Sequence, residues 1–188
     1  MKLRKSLAVA ASGFILAGMI AGAGGFSAMA AESTTSDYAV EVALNDAGLS
    51  EDDVTIEDVE KGNEQGASVY EVEFWTDSAE YEYDIAIADG EIVSVSRELT
   101  DPSLEGKAIS KAEAKKIALK HAGVNENKAS FSKNQNGTEN GISVFEFKFE
   151  DSEAEYKYDV AKQGGEILSY TRTIKNPACV GAAGKANK

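Results

Sequence analysis

The chain has 188 residues and a net charge of −13, from 32 Asp and Glu against 19 Lys and Arg, with one His, one Cys and two Pro. A single Cys excludes a disulfide framework and a Cys-based zinc site, and a single His speaks against a His-centred active site. The acidic balance argues against nucleic acid as partner, since phosphate binding needs clustered cations, and 43% hydrophobic with 8% aromatic residues is too much for a disordered chain.

Met1-Lys2-Leu3-Arg4-Lys5 is a short basic segment, and no charge follows until after Ala31. The run closes on Ala28-Met29-Ala30, the small-x-small pattern that a signal peptidase reads, so residues 1–30 are expected to be a cleavable export signal. The uncharged run is also long enough to span a bilayer, which keeps membrane attachment open should the signal stay uncleaved. No Cys follows the run, so a lipid anchor is not expected there. The predicted location is secreted or extracytoplasmic. Cleavage would remove Lys2, Arg4 and Lys5 and take the charge from −13 to −16.

From Asp37 to Arg97 the chain repeats itself, without a gap, 75 residues later, with 24 identities in 61 positions. Such a period exceeds that of a solenoid unit and indicates a duplicated small domain. Each copy opens with a helix. In the first, Thr35 or Ser36 can cap, Ala39, Val42, Ala43 and Ala47 form the apolar stripe, and Gly48 stops it. In the second, Ser110-Lys111-Ala112-Glu113 is a capping box, Ile109 is placed to staple onto Ala114, and Gly123 is the stop. After each helix the apolar period changes from 3.6 to 2. Val54 and Ile56 open a first strand, and a polar turn is expected around Gly62 and Gly66. Tyr70, Val72 and Phe74 then alternate with acids, as do Tyr81, Tyr83 and Ile85. Asp89-Gly90 and Gly164-Gly165 have the composition of two-residue hairpin turns. The last strands are Glu91–Arg97 and Glu166–Arg172.

The expected fold is therefore α+β, two tandem copies of a helix packed on a four-stranded antiparallel sheet, each α-β-β-β-β. The expected boundaries are a signal at 1–30, an acidic first repeat at 36–98, a linker at 99–109 holding Pro102, a second repeat at 110–173, and a flexible tail at 174–188. Units this small are marginal alone, so the copies should touch, with Trp75 or the linker as candidate contacts. Cys179 in the tail is read as an incidental thiol, with intermolecular pairing as the alternative.

Tyr81-Glu82-Tyr83-Asp84-Ile85 leading to Gly90-Glu91-Ile92-Val93, and Tyr156-Lys157-Tyr158-Asp159-Val160 leading to Gly165-Glu166-Ile167-Leu168, resemble the PepSY domain in two copies. One departure is Ala86 and Ala161, where the family commonly has Asp nearby. The resemblance implies a noncatalytic binding or inhibitory module of the kind found in metallopeptidase propeptides. It carries no catalytic residues and no cofactor.

His121, the only His, falls in the last turn of the second helix, where a cation is favoured. Its counterpart is Asp46, so the repeat does not require imidazole there. Glu51, Asp52, Asp53, Glu57 and Asp58 could suggest calcium, but their spacing fits no EF-hand loop, and no metal site is expected. Charge is divided sharply between the copies. Residues 37–101 hold 20 acids and two bases, whereas residues 102–175 hold 11 acids and 12 bases. Glu71, Glu73, Glu80, Glu82 and Asp84 should share one solvated sheet face, where the second copy has Glu146, Lys148, Glu155, Lys157 and Asp159. These five acids are the candidate partner-binding residues. They could be a solvated face that keeps a secreted protein soluble, face a basic partner, or pack against the second copy, whose helix carries Lys111, Lys115, Lys116 and Lys120. The function expected is a secreted, noncatalytic module that binds and modulates an extracellular peptidase or cell-wall hydrolase. An acidic cation-binding or envelope scaffold protein is the alternative.

Overall fold

A computed structural model describes residues 34–177. The export signal expected at 1–30 and Cys179 lie outside the described residues. Helix α1 spans Ser36–Ala47 and is followed by strands β1 (Thr55–Glu64), β2 (Ala67–Trp75), β3 (Ala79–Ala86) and β4 (Ile92–Leu99). Helix α2 (Lys111–Ala122) precedes β5 (Ser130–Glu139), β6 (Ile142–Glu150), β7 (Ala154–Ala161) and β8 (Ile167–Ile174). A short 3-10 turn follows each helix, at Glu51–Asp53 and Glu126–Lys128.

The caps act locally. Thr35 accepts from the Tyr38 amide at 3.3 Å. Ser110 and Glu113 exchange bonds, with the Ser110 amide donating to Glu113 at 2.8 Å. Gly48 and Gly123 both close their helices at φ 69°, the left-handed region where a Cβ is disfavoured. The buried stripes are mostly alanine, Ala39, Ala43 and Ala47 on α1 and Ala114 and Ala118 on α2, which lets each helix lie close on the sheet.

The fold departs from two separate units in one decisive respect. All eight strands form a single antiparallel sheet, in the order β1-β2-β3-β4-β8-β7-β6-β5. Tandem four-stranded sheets would each leave their last strand as an open edge. Here β4 pairs with β8, with Ser94 opposite Thr173, Ser96 opposite Thr171 and Glu98 opposite Ser169. Ser96 and Thr171 are themselves equivalent under the 75-residue offset, so an approximate twofold axis passes between them. Joining like edges satisfies both rows of backbone donors and acceptors at once. Ser, Thr and Val, with few charges, make these two strands suitable for it. The copies therefore meet along β4 and β8 and not through Trp75, which lies near the outer edge opposite Thr55.

Both helices sit on one face. The α1 stripe packs with Val72, Phe74, Tyr83, Ile85 and Val95. The α2 stripe packs with Phe145, Phe147, Phe149, Tyr156, Tyr158 and Val160. Val95 is opposite Arg172, and Arg172 is opposite Tyr156, which places the two sets on the same side. Between the helices, Tyr170 packs against both clusters, with Arg97 stacked over its ring at 5.5 Å.

Two turns differ from expectation. Gly62 lies within β1, opposite Val69, and the turn proper is Gln65-Gly66, both at positive φ (48° and 87°). A Cβ at Gly62 would meet the Glu71 carboxyl, which folds over the bare backbone. Asp89-Gly90 and Gly164-Gly165 lie in wider loops between β3 and β4 and between β7 and β8. The register there shifts between Asp84 and Ile85, and again between Asp159 and Val160. The linker is tied to the second copy, with Ile109 donating to the Lys162 carbonyl at 2.9 Å.

Candidate functional site: the helix-free face

Alternation puts every other residue of the sheet on the side away from the helices. Four of the candidate acids come together as cross-strand neighbours, Glu71 opposite Asp84 and Glu73 opposite Glu82, while Glu80 lies between Trp75 and Glu98. The same face gains Asp58, Glu60 and Glu64 from β1, in register with Glu73, Glu71 and Ala67, and Glu98 from β4. The first half thus presents nine carboxylates over four strands that lie about 4.8 Å apart.

Sequence reasoning missed Glu98 because the last strand was read to end at Arg97, and the additions from β1 for a different reason. The register of β1 shifts between Ile56 and Asp58, leaving Glu57 as an extra residue. That shift breaks the alternation by which Asp58 and Glu60 could have been assigned a face. The acids weighed for calcium are also dispersed. Glu57 and Asp58 lie in β1, and Asp53 is held by Ser50 in the 3-10 turn, which lowers its pKa. Among the described residues, no group of three or more His, Cys, Asp or Glu side chains converges to hold a metal ion.

Among the described residues, no base forms a salt bridge with the acidic half. Among the described residues the salt bridges are Lys115–Glu126, Lys133–Glu146, Lys148–Glu155 and Lys175–Glu150, all in the second copy. The cost shows in the carboxyls. Burial, with Glu64, Glu82 and Glu71 around it, pushes Asp84 up to about 7. Burial and neighbouring acids also raise Glu73 and Glu80. Asp159, the counterpart of Asp84, is raised by burial, but Ser169 donates to it at 3.0 Å and Lys133 counteracts.

The central row across the face inverts its sign at the junction. It reads Asp58, Glu73, Glu82 and Ser96 in the first half and Thr171, Lys157, Lys148 and Lys133 in the second. Each acid has a lysine as its repeat counterpart on the other side of the junction. The lysines of α2, in contrast, lie on the other side of the sheet, so the acidic face does not pack against that helix. Lys115 instead pairs with Glu126 at 2.8 Å.

On the helix side, the Nδ1 of His121 is 2.8 Å from the Tyr158 hydroxyl, and its ring is 4.7 Å from that of Tyr170. Burial and the nearby Arg97 lower the His121 pKa. In the first copy the corresponding bond runs from the Tyr83 hydroxyl to Asp46, at 3.0 Å. A repeated helix-to-strand tie, made by Asp in one copy and His in the other, marks His121 as a packing residue.

A 62-residue stretch is 42% identical to an uncharacterized protein of Streptococcus pyogenes serotype M6, Spy1430; it covers 33% of this chain and about half (48%) of that protein's length. Among solved structures, the chain is similar to the Bacillus megaterium YpeB C-terminal domain, with TM-score 0.46 and 17% identity over 73% of this chain and 62% of that one. It is also similar to CD1622 of Clostridium difficile 630, with TM-score 0.30 and 18% identity over 72% of this chain and 91% of that one. The family model for the YpeB sporulation PepSY1 and PepSY2 domains matches residues 82–181, from β3 across the β4–β8 junction and through the second copy. The chain belongs to that family.

Proposed function

We propose that this protein is an extracytoplasmic, noncatalytic binding module that docks a protein partner through the acidic half of its helix-free face. The observation that carries this reading is the set of nine carboxylates without a paired base among the described residues, one of them pushed up to about 7. Like charges held together on a rigid sheet cost folding stability, and a partner with a basic surface would recover that cost on binding. Membership of the PepSY family and the export-type N-terminus support an extracellular peptidase or cell-wall hydrolase as the partner class. Among the described residues no helix is long and apolar enough to cross a membrane.

The test uses the intact protein and a variant carrying Glu73→Lys and Glu82→Lys, both immobilised against the secreted proteins of the host. A hydrolase retained by the first and lost by the second, released by salt, and inhibited in a peptide- or wall-cleavage assay would support the proposal. Equal retention on both, or retention without any hydrolase, would refute it. Calcium titration by calorimetry addresses the cation-binding alternative, which would require heat that the same double substitution removes.

A further inference from the structure

The two copies act as controls for one another, and they differ at the outer corner of the helix-free face. In the first copy, Trp75 is opposite Thr55 on β1 and Glu80 on β3. Its indole N–H donates to Glu57, the residue left over by the bulge in β1. In the second copy the position of Trp75 is taken by Glu150, opposite Ser130 and Glu155, and that of Glu57 by Ser132, left over by the same bulge in β5. Glu150 is engaged by Lys175 at 3.0 Å. A cavity of about 220 Å³ lies there, lined by Ser130, Ser132, Lys148, Phe149, Glu150 and Glu155.

Five of those six residues stand at the positions of Thr55, Glu57, Glu73, Phe74 and Glu80, of which Thr55, Glu57 and Glu80 flank Trp75 in the first copy, and the sixth replaces Trp75 itself. The cavity is thus the seat that an indole occupies in one half of the molecule and leaves open in the other. It is much larger than the roughly 30 Å³ share of one water. It is smaller than the roughly 300 Å³ at which pockets for drug-sized ligands begin. A single aromatic side chain is the matching size.

We propose that this cavity is a docking seat for a tryptophan side chain presented by a partner protein at the β5 edge. Ser130 and Ser132 offer hydroxyl acceptors for the indole N–H, as Glu57 does in the first copy. Lys148, held at 3.2 Å by Glu155, provides a cation at the rim that can lie over the ring. A buried aromatic anchor surrounded by a polar rim is the usual form of an interface hot spot. The seat is at the opposite end of the sheet from the acidic half and does not depend on that half's role.

The probe is N-acetyl-tryptophanamide, titrated into isotope-labelled protein and followed by amide chemical shifts, with N-acetyl-alaninamide as control. Saturable shifts at Ser130, Ser132, Lys148 and Glu150, absent with the alanine compound, are expected. Glu150→Trp with Ser132→Glu rebuilds the first-copy arrangement and should weaken binding at least tenfold. The reverse pair, Trp75→Glu with Glu57→Ser, should open a second seat and add saturable shifts at Thr55, Glu73 and Glu80. Shifts that never saturate, that fall elsewhere, or that survive the rebuilt plug would overturn the proposal. Should the plug variant not fold, failure of the reverse pair to gain a second site would overturn it equally.

Discussion

Asp84→Asn tests whether the acidic face is under electrostatic load. Asp84 lies between Glu71 on β2 and Ser94 on β4, and burial with its acidic neighbours moves its pKa from 3.8 to about 7. That interval corresponds to about 4 kcal/mol of extra cost for the ionised form in the folded state, at 1.36 kcal/mol per pH unit. Asp84 is partly open to water, and screening brings the figure to about 2 kcal/mol. The folded carboxyl holds its proton more tightly than the unfolded one, so the folded state binds more protons between about pH 4 and 7. Stability therefore falls as pH rises through that window. Asn removes the charge and keeps the shape. At pH 8 the variant should be more stable by about 2 kcal/mol, a rise in Tm of about 6 °C for a domain of this size; at pH 4 the two proteins should coincide. Urea unfolding followed by circular dichroism and by fluorescence of the single tryptophan, Trp75, at pH 4, 6 and 8 measures the difference. Asp159→Asn is the internal control, because Ser169 and Lys133 already support that carboxylate, and its gain at pH 8 should be smaller. A loss of stability in Asp84→Asn at pH 8, or an equal gain at pH 4 and pH 8, would refute the reasoning.

Other perturbations probe the junction and its supports. His121 has a folded pKa lowered by burial and by Arg97, so its contribution runs the other way: stability should fall as pH drops below about 6.5, and His121→Asn should remove that acid-side loss in melts between pH 5 and 7. Arg97 donates to the Ile167 carbonyl at 2.8 Å across the seam between copies, while its Nε is buried without a partner. Arg97→Met should cost about 2 kcal/mol and speed amide exchange selectively at Ser96 and Thr171. Gly164 has φ 77°, and a Cβ there would clash with the Glu105 carbonyl oxygen, so Gly164→Ala should destabilise by about 2 kcal/mol or more in chemical unfolding.

Much of the local structure was legible because its causes are local. The Ser110–Glu113 box and the stops at Gly48 and Gly123 each involve groups three to six residues apart, and the alternation of Tyr81, Tyr83 and Ile85 with acids is a property of one strand. Glu71, Glu73, Glu80, Glu82 and Asp84 could be assigned a common face for the same reason. The turn at Gln65-Gly66 was read as reaching back to Gly62 because a glycine inside a strand looks like a turn until Glu71 is seen folded over it. Asp58 and Glu60 escaped because the bulge at Glu57 changes phase without any compositional mark.

By itself, the sequence determined the duplication, the helices with their caps, the strand periods and the segregation of charge into the first copy. Only the tertiary structure decided that β4 would anneal to β8, so that two units became one sheet. Backbone hydrogen bonding is the same for any pair of edges, and nothing in a strand's own alternation names its neighbour. The row in which Asp58, Glu73 and Glu82 face Lys157, Lys148 and Lys133 across a twofold junction, and the open seat that repeats the site of Trp75, both run at right angles to the chain. Such features arise when the strands are laid side by side.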